Sequence, residues 1–200
     1  MRLSELLTPS RIRVPLQAHD KEGVLRELVN LLLPKDGGGE GRGGGGGRSA
    51  DRATGGAPAA EPRAPGASGP GAPGQAPQAV LVRLDAQAEV LGAVLERERQ
   101  FPTGIGYGVA VPHGKTPALS GLAAAAGTTA APVAYETIDG EPVRLFFLLA
   151  GPEAQAGQHV QAISRISRLV RREPVRARLL RARTPEEFYA VLCEVEGTIP

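Results

Sequence analysis

The chain has no tryptophan among its 200 residues, one cysteine, one methionine, three tyrosines and four phenylalanines. The single cysteine, Cys193, excludes an intrachain disulfide and a cysteine-built zinc site. Its neighbours Val191, Leu192 and Val195 suggest a buried helical position for it. Long apolar runs are also missing, and none approaches the ~20 residues that span a bilayer. The opening MRLSELLTPSRIRV has no apolar core and carries Arg11 and Arg13, so it is no secretory signal. The expectation is a soluble cytoplasmic protein with no membrane insertion. Charge of one sign is scarce as well. The net charge is +2 with lysine and arginine spread along the chain, which gives nucleic-acid binding no support.

One stretch lacks the means to fold. Gly37 to Pro77 holds 15 glycines and six prolines in 41 residues, with no Val, Ile, Leu, Met or aromatic residue. It cannot bury enough apolar surface to offset the entropy of ordering it, so a disordered insert is expected over 37–77. Its arginines, Arg42, Arg48, Arg52 and Arg63, read as solvated. The remaining residues suffice for one core, so 1–200 is expected to be a single domain interrupted by this insert.

What is there alternates between helical and extended patterns. Val24, Leu25, Leu28, Val29 and Leu32 recur at helical spacing over Asp20–Leu33, with Asp20 as N-cap. Val90, Leu91, Val94 and Leu95 repeat the pattern over 85–99, with Asp85 as the cap. Val109–Val111, Leu122–Thr128, Val133–Ile138 and Val143–Leu149 read as strands, with Asp139-Gly140 a turn between the last two. The unbroken run Leu145 to Leu149 is expected of a central strand covered on both faces. Helices return over His159–Arg171, burying Val160, Ile163, Ile166 or Ser167, and Val170, and over Pro174–Ala182. The last opens at Thr184-Pro185-Glu186-Glu187, a capping box with proline at the first helical position. The expected fold is a three-layer α/β domain, a mixed β-sheet flanked by helices.

The chemistry concentrates between Arg97 and Lys115. Gly104, Gly106 and Gly108 allow tight turns and close backbone approach, and the strand Val109–Val111 then delivers Pro112-His113-Gly114 at a sheet edge. A neutral imidazole is a nucleophile near its ordinary pKa of about 6.5. Gly114 leaves room and an open amide beside His113, and Thr103, Arg97 and the backbone of 104–108 are available as phosphoryl donors. On spacing alone a core or loop histidine without chemistry is the more ordinary reading of His113.

The block Arg97-Glu98-Arg99-Gln100-Phe101-Pro102-Thr103-Gly104-Ile105-Gly106 with Val111-Pro112-His113-Gly114-Lys115 resembles the type 2 enzyme IIA domains of the phosphoenolpyruvate-dependent phosphotransferase system, the fructose, mannitol and nitrogen-regulatory class. Leu6-Leu7-Thr8-Pro9, Pro142–Ala150 and Gly157-Gln158-His159-Val160 carry the likeness along the rest of the folded chain. The resemblance implies that His113 accepts a phosphoryl group from the phosphocarrier protein HPr, forming a phosphohistidine, and passes it on. It implies that Arg97 supports that group, that His159 is a second active-site histidine that is not phosphorylated, and that Thr103 and Gly104 shape the pocket. The downstream partner is either a IIB domain, in sugar transport, or a regulated protein that senses the phosphorylation state. No IIB-like or membrane segment accompanies the domain, which leans the expectation toward regulation. Three features depart from the usual pattern: Pro102 in place of serine, Tyr107 in place of asparagine, and the glycine-proline insert, which reads as slack in a connection.

Other chemistries find little footing. Gly104, Gly106 and Gly108 do not form G-x-G-x-x-G, because position 109 is valine, so no dinucleotide cofactor is expected. Gly114-Lys115-Thr116 lacks the spaced first glycine of a P-loop, and Pro112 removes an amide such a cradle uses. His113 and His159 have no acidic or cysteine partners at ligand spacing, so no metal is expected. His19 reads as a surface residue, and Arg165, Arg168, Arg171, Arg172, Arg176 and Arg178 as a solvated basic face.

Overall fold

The computed structural model describes residues 1–33 and 78–197. The expected disordered insert and its four arginines lie outside the described residues. A sheet of six strands forms the middle layer: β1 (Ile12–Leu16), β2 (Gly104–Gly106), β3 (Val109–Ala110), β4 (His113–Lys115), β5 (Ala123–Val133) and β6 (Val143–Gly151). Its order is β1-β5-β6-β3-β2, with β4 also paired to β6. The sheet is mixed, as expected: β5 and β6 are antiparallel, whereas β1 runs parallel to β5, and β3 and β4 run parallel to β6.

β6 occupies the centre because its residues are apolar on both faces. Leu145, Phe147 and Leu149 face one core, and Phe146, Leu148 and Ala150 face the other. Each large side chain so buried contributes about 1.5–3 kcal/mol. The first core packs against α1 (Leu3–Leu6), α4 (Ala156–Val170), α5 (Glu173–Arg181) and α6 (Pro185–Glu196). The second packs against α2 (Lys21–Leu32) and α3 (Gln78–Gln100). The three expected layers result.

β3 and β4 are two pieces of one interrupted strand. Val109 lies opposite Leu145 and His113 opposite Leu149, so both follow the same neighbour in parallel. Val111-Pro112 separates them, since proline has no amide to donate to a ladder. β2 pairs with β3 but not with β4, which leaves β4 on the sheet edge. His113 therefore opens the second piece, where the sequence pattern suggested that it ends a strand.

Several local expectations are corrected. Asp85 is inside α3 and caps nothing, because the preceding residues are compatible with helix and nothing stops α3 from starting at Gln78. Val133–Ile138 is not a strand. β5 absorbs Pro132 where its register slips between Thr128 and Val133, and beyond Val133 only Thr137 makes a single bridge, to Gly104. The turn at Asp139-Gly140 is present, with Gly140 at φ 73°. Val160 is 67% exposed, because α4 buries His159, Ala162, Ile166, Leu169 and Val170 instead. Cys193 is exposed, since α6 turns Phe188, Leu192 and Val195 inward and 193 falls outside that stripe.

The caps at Asp20 and Thr184 form as expected, accepting from the amides of Gly23 at 2.9 Å and Glu187 at 3.2 Å. Glu187, however, turns to the amide of Arg183 at 2.7 Å, one residue before the cap. The basic face is partly structural. Arg176 donates to the Val170 and Arg171 carbonyls at 2.6 and 3.0 Å, closing the end of α4, and Arg178 pairs with Glu194 at 2.5 Å.

Candidate functional site

Strand alternation sets the geometry of the site. Val109 and Val111 point into the α4–α6 core and Ala110 into the α2–α3 core. Continuing that alternation, His113 and Lys115 face α4, whereas Gly114 faces α3. Half-buried His113 holds its Nδ1 2.9 Å from the carbonyl oxygen of Val111. A carbonyl can only accept, so Nδ1 carries the proton and Nε2 keeps its lone pair. Burial, seconded by the charges of Arg97 and Lys115, holds the ring below the ordinary histidine pKa. The bond to Val111 and the Glu98 carboxylate pull the other way without prevailing. The result is a neutral ring with one free nitrogen, the state a nucleophile requires.

His159 lies in the first turn of α4 and is 3% exposed. Neither of its ring nitrogens has a hydrogen-bond partner among the described residues. An unmet buried polar group costs about 1–3 kcal/mol, so this ring is open to a partner that the described residues do not supply. Burial, then His113 and Lys115, lower its pKa, against the pull of Glu153. Lys115 was not singled out by the sequence. Its Nζ pairs with Glu153 at 2.8 Å in the turn that leads into α4, and its charge acts on both histidines. Only its position two residues after His113 on an alternating strand hinted at this.

Arg97 approaches from the other layer, at the end of α3. Its Nη1 donates to the Phe101 carbonyl at 2.8 Å, and its guanidinium carbon lies 5.8 Å from the Phe101 ring centroid. Phe101 itself is 68% exposed beside it. The structure thus brings Arg97, His113 and His159 into one electrostatic neighbourhood.

Thr103, Gly104 and Gly114 shape the site from behind. Thr103 is buried, and its hydroxyl donates to Glu98. That oxygen has one proton, so at 3.1 Å it accepts from the Tyr135 hydroxyl, which burial pushes far above the usual tyrosine pKa. Thr103 therefore has no hydroxyl proton to offer a phosphoryl group. A Cβ on Gly104 would collide with Glu136 and Thr137, and one on Gly114 would come within 2.8 Å of the Val94 amide nitrogen. The room at Gly114 is filled by α3 rather than left open beside His113. Glu98, which sequence reasoning passed over as part of a motif, is 3% exposed and is the hub of this support. Its carboxylate accepts from the Thr103 amide at 3.2 and 3.3 Å and pairs with Lys21 at 3.1 Å. Although burial opposes its charge, Lys21 is held above its ordinary pKa by Glu136 and Glu98.

Tyr107 sits at φ 59° in the β2–β3 turn, its amide bonded to Asp139 at 2.7 Å and its ring 4.8 Å from the Arg176 guanidinium. Among the described residues no three His, Cys, Asp or Glu side chains converge on a metal position, and no helix is long and apolar enough to cross a membrane.

This arrangement has relatives. A family model for the phosphoenolpyruvate-dependent sugar phosphotransferase system, EIIA 2, matches residues 80–195. A nitrogen regulatory protein of Pseudomonas aeruginosa is 32% identical over 197 residues, covering 98% of each chain. The PTS system fructose-specific EIIABC component of Bacillus subtilis is 29% identical over 192 residues, which are 96% of this chain and 23% of that one. The chain thus spans about a quarter of that relative. The crystal structure of nitrogen regulatory protein IIA-Ntr from Neisseria meningitidis shares the fold, with a TM-score of 0.66 at 23% identity over 95% of this chain and 98% of that one. The chain belongs to the EIIA type 2 family of the phosphoenolpyruvate-dependent phosphotransferase system.

Proposed function

We propose that His113 takes a phosphoryl group from the phosphohistidine of an HPr-type carrier, and that a regulated protein reads its phosphorylation state. One observation carries this reading. The Nδ1 of His113 is committed to the Val111 carbonyl, so Nε2 alone presents a lone pair, beside a buried histidine without a hydrogen-bond partner among the described residues. In the transfer, that pair forms a bond to phosphorus as the phosphorus–nitrogen bond of the donor breaks. The bonding electrons return to the donor ring, and the proton of His113 stays on Nδ1, donated to the Val111 carbonyl. Arg97 and Lys115 bring positive charge to the phosphoryl oxygens from the two layers, and His159 meets the group with a neutral ring. Phosphoryl transfer asks for little beyond such positioning and charge.

The Pseudomonas aeruginosa relative, matched over nearly its whole length, is a nitrogen regulatory protein, which favours the regulatory role. The second reading, donation to the cysteine or histidine of a IIB domain in sugar uptake, is favoured by the likeness to a fructose-specific component. Intact-mass spectrometry after incubation with phosphoenolpyruvate, enzyme I and HPr tests the shared step. One acid-labile phosphoryl group on wild type and none on His113→Ala is expected. Equal labelling of both proteins refutes the assignment. Transfer onward to purified fructose or mannitol IIB domains then separates transport from regulation.

A further inference from the structure

In an antiparallel sheet, two residues that form a hydrogen-bonded pair exchange two bonds, each amide donating to the other's carbonyl. Thr103 and Val111 face each other in this way just beyond the Gly104–Ala110 pairing of β2 and β3. The Val111 amide donates to the Thr103 carbonyl at 3.0 Å. The return bond is missing. The Thr103 amide turns instead to the buried Glu98 carboxylate, at 3.2 and 3.3 Å from its two oxygens. The Val111 carbonyl, relieved of its ladder partner, accepts Nδ1 of His113 at 2.9 Å.

We propose that Glu98 is a positioning residue for His113: by taking the Thr103 amide out of the ladder, it leaves the Val111 carbonyl free to fix the ring's tautomer. The proposal rests on His113 being the phosphoryl acceptor. Glu98 does not touch the ring, and it acts through two backbone groups. The diversion is held from several sides. The Thr103 hydroxyl donates to the same carboxylate, and Lys21 neutralises it at 3.1 Å. Pro102, the residue before Thr103, has no amide and so cannot compete for Val111. A carboxylate bonded directly to Nδ1 would fix the tautomer as well, but it would raise the ring's pKa and repel an incoming phosphoryl dianion. Routed through the backbone, the carboxylate pairs with Lys21 rather than with the ring, and its remaining upward pull on the ring's pKa does not prevail.

The test measures the tautomer and the transfer separately. Nitrogen-15 spectra of the full chain report which ring nitrogen of His113 is protonated. Wild type is expected to show Nδ1–H at neutral pH, and a dominant Nε2–H form in wild type overturns the proposal without any variant. In Glu98→Met the Thr103 amide is free to return to Val111. The Nδ1–H population should then fall, and labelling from phospho-HPr should slow roughly 10- to 100-fold, as when a partner that orients a functional histidine is lost. The KM for HPr should hold. Glu98→Gln keeps an acceptor for the Thr103 amide and should retain the wild-type tautomer and most of the rate. A folded Glu98→Met with the wild-type tautomer overturns the proposal, as does Glu98→Gln losing the tautomer as fully as Glu98→Met. If wild type shows Nδ1–H but takes no label, the phosphoryl-acceptor reading fails and the tautomer mechanism stands by itself.

Discussion

Replacing Gly114 with alanine perturbs the site through its support alone. A Cβ built there lies 2.8 Å from the Val94 amide nitrogen and 3.0 Å from both the Ala93 carbonyl carbon and Val94 Cγ2. Ordinary contact begins at 3.4 Å, so α3 and β4 must part by ~0.6 Å, and the obstacle is mostly helix backbone, which has no rotamer to yield. Overpacking of this kind costs about 1–3 kcal/mol. At about 2–4 °C per kcal/mol for a domain of this size, the melting temperature should drop by roughly 2–12 °C. The functional effect should be larger than the loss of stability suggests. Arg97 is one turn beyond Ala93 and Val94 on the same helix, so the shift draws its guanidinium away from His113, and small misplacements cost up to about 100-fold in rate. The assay pairs a thermal melt with the rate of labelling by phospho-HPr at a temperature well below the transition. Gly157, with nothing within 4 Å of its would-be Cβ, is the matched control, and its alanine variant should change neither the melt downward nor the rate. A Gly114→Ala protein that melts and accepts phosphate like wild type refutes the reasoning.

Gly92 sits mid-helix in α3, exposed and with open space around it, so Gly92→Ala should stabilise by up to about 1 kcal/mol, read as a rise in melting temperature. Burial lowers the pKa of both His113 and His159 in the folded chain, so the unfolded chain binds their protons first. Their contribution to stability is therefore complete above about pH 6.5 and is lost as the pH falls from there through the folded values. The melting temperature should decline over that window in wild type and less in His159→Gln, and an identical decline in both would count against a buried neutral His159. For the same reason labelling of His113 should persist below pH 6.5, and a midpoint at or above 6.5 would show that its ring is not shifted downward. Lys115 is shared between Glu153 and the histidine pair, in an exposed ion pair of the kind that contributes about 0–1 kcal/mol. Lys115→Gln should lower the steady-state level of phosphorylated protein and Glu153→Gln should raise it, and effects of the same sign would rule out an electrostatic role.

The reach of the sequence followed the reach of its physical signals. The central strand was legible in Leu145–Leu149 because five adjacent apolar residues leave little alternative to burial on both faces. Asp20 and Thr184 were legible as caps because their oxygens meet amides three residues away. The failures arose where a distant element decided the outcome. Val160 and Cys193 are apolar or neutral residues on amphipathic helices, and which side of the stripe they join depends on the sheet they pack against. β1 and β4 are too short to show alternation, and each exists because a longer strand lies alongside. At the site, His113, His159 and Arg97 were visible through their chemistry and the motif that carries them. Glu98 and Lys115 were not, since a glutamate near a helix end and a lysine after a glycine ordinarily read as solvated. Their significance comes from a buried amide and from a partner 38 residues away.

A relay histidine must satisfy two demands that oppose each other. Before transfer it must be uncharged at cellular pH, with its reactive nitrogen fixed in direction. After transfer its surroundings must tolerate about two negative charges beside the ring. An orienting carboxylate satisfies the first demand at the expense of the second. Cations close by favour both the neutral ring and the charged phosphoryl group, provided that something neutral orients the ring. At His113 burial does most to keep the ring neutral, Arg97 and Lys115 are the cations that assist it, and a backbone carbonyl supplies the orientation. That carbonyl is available only because the strand is interrupted at Pro112 on a sheet edge and its facing amide is drawn off by Glu98. The broken strand is thus the feature from which the tautomer of His113 and its place at the sheet edge both follow.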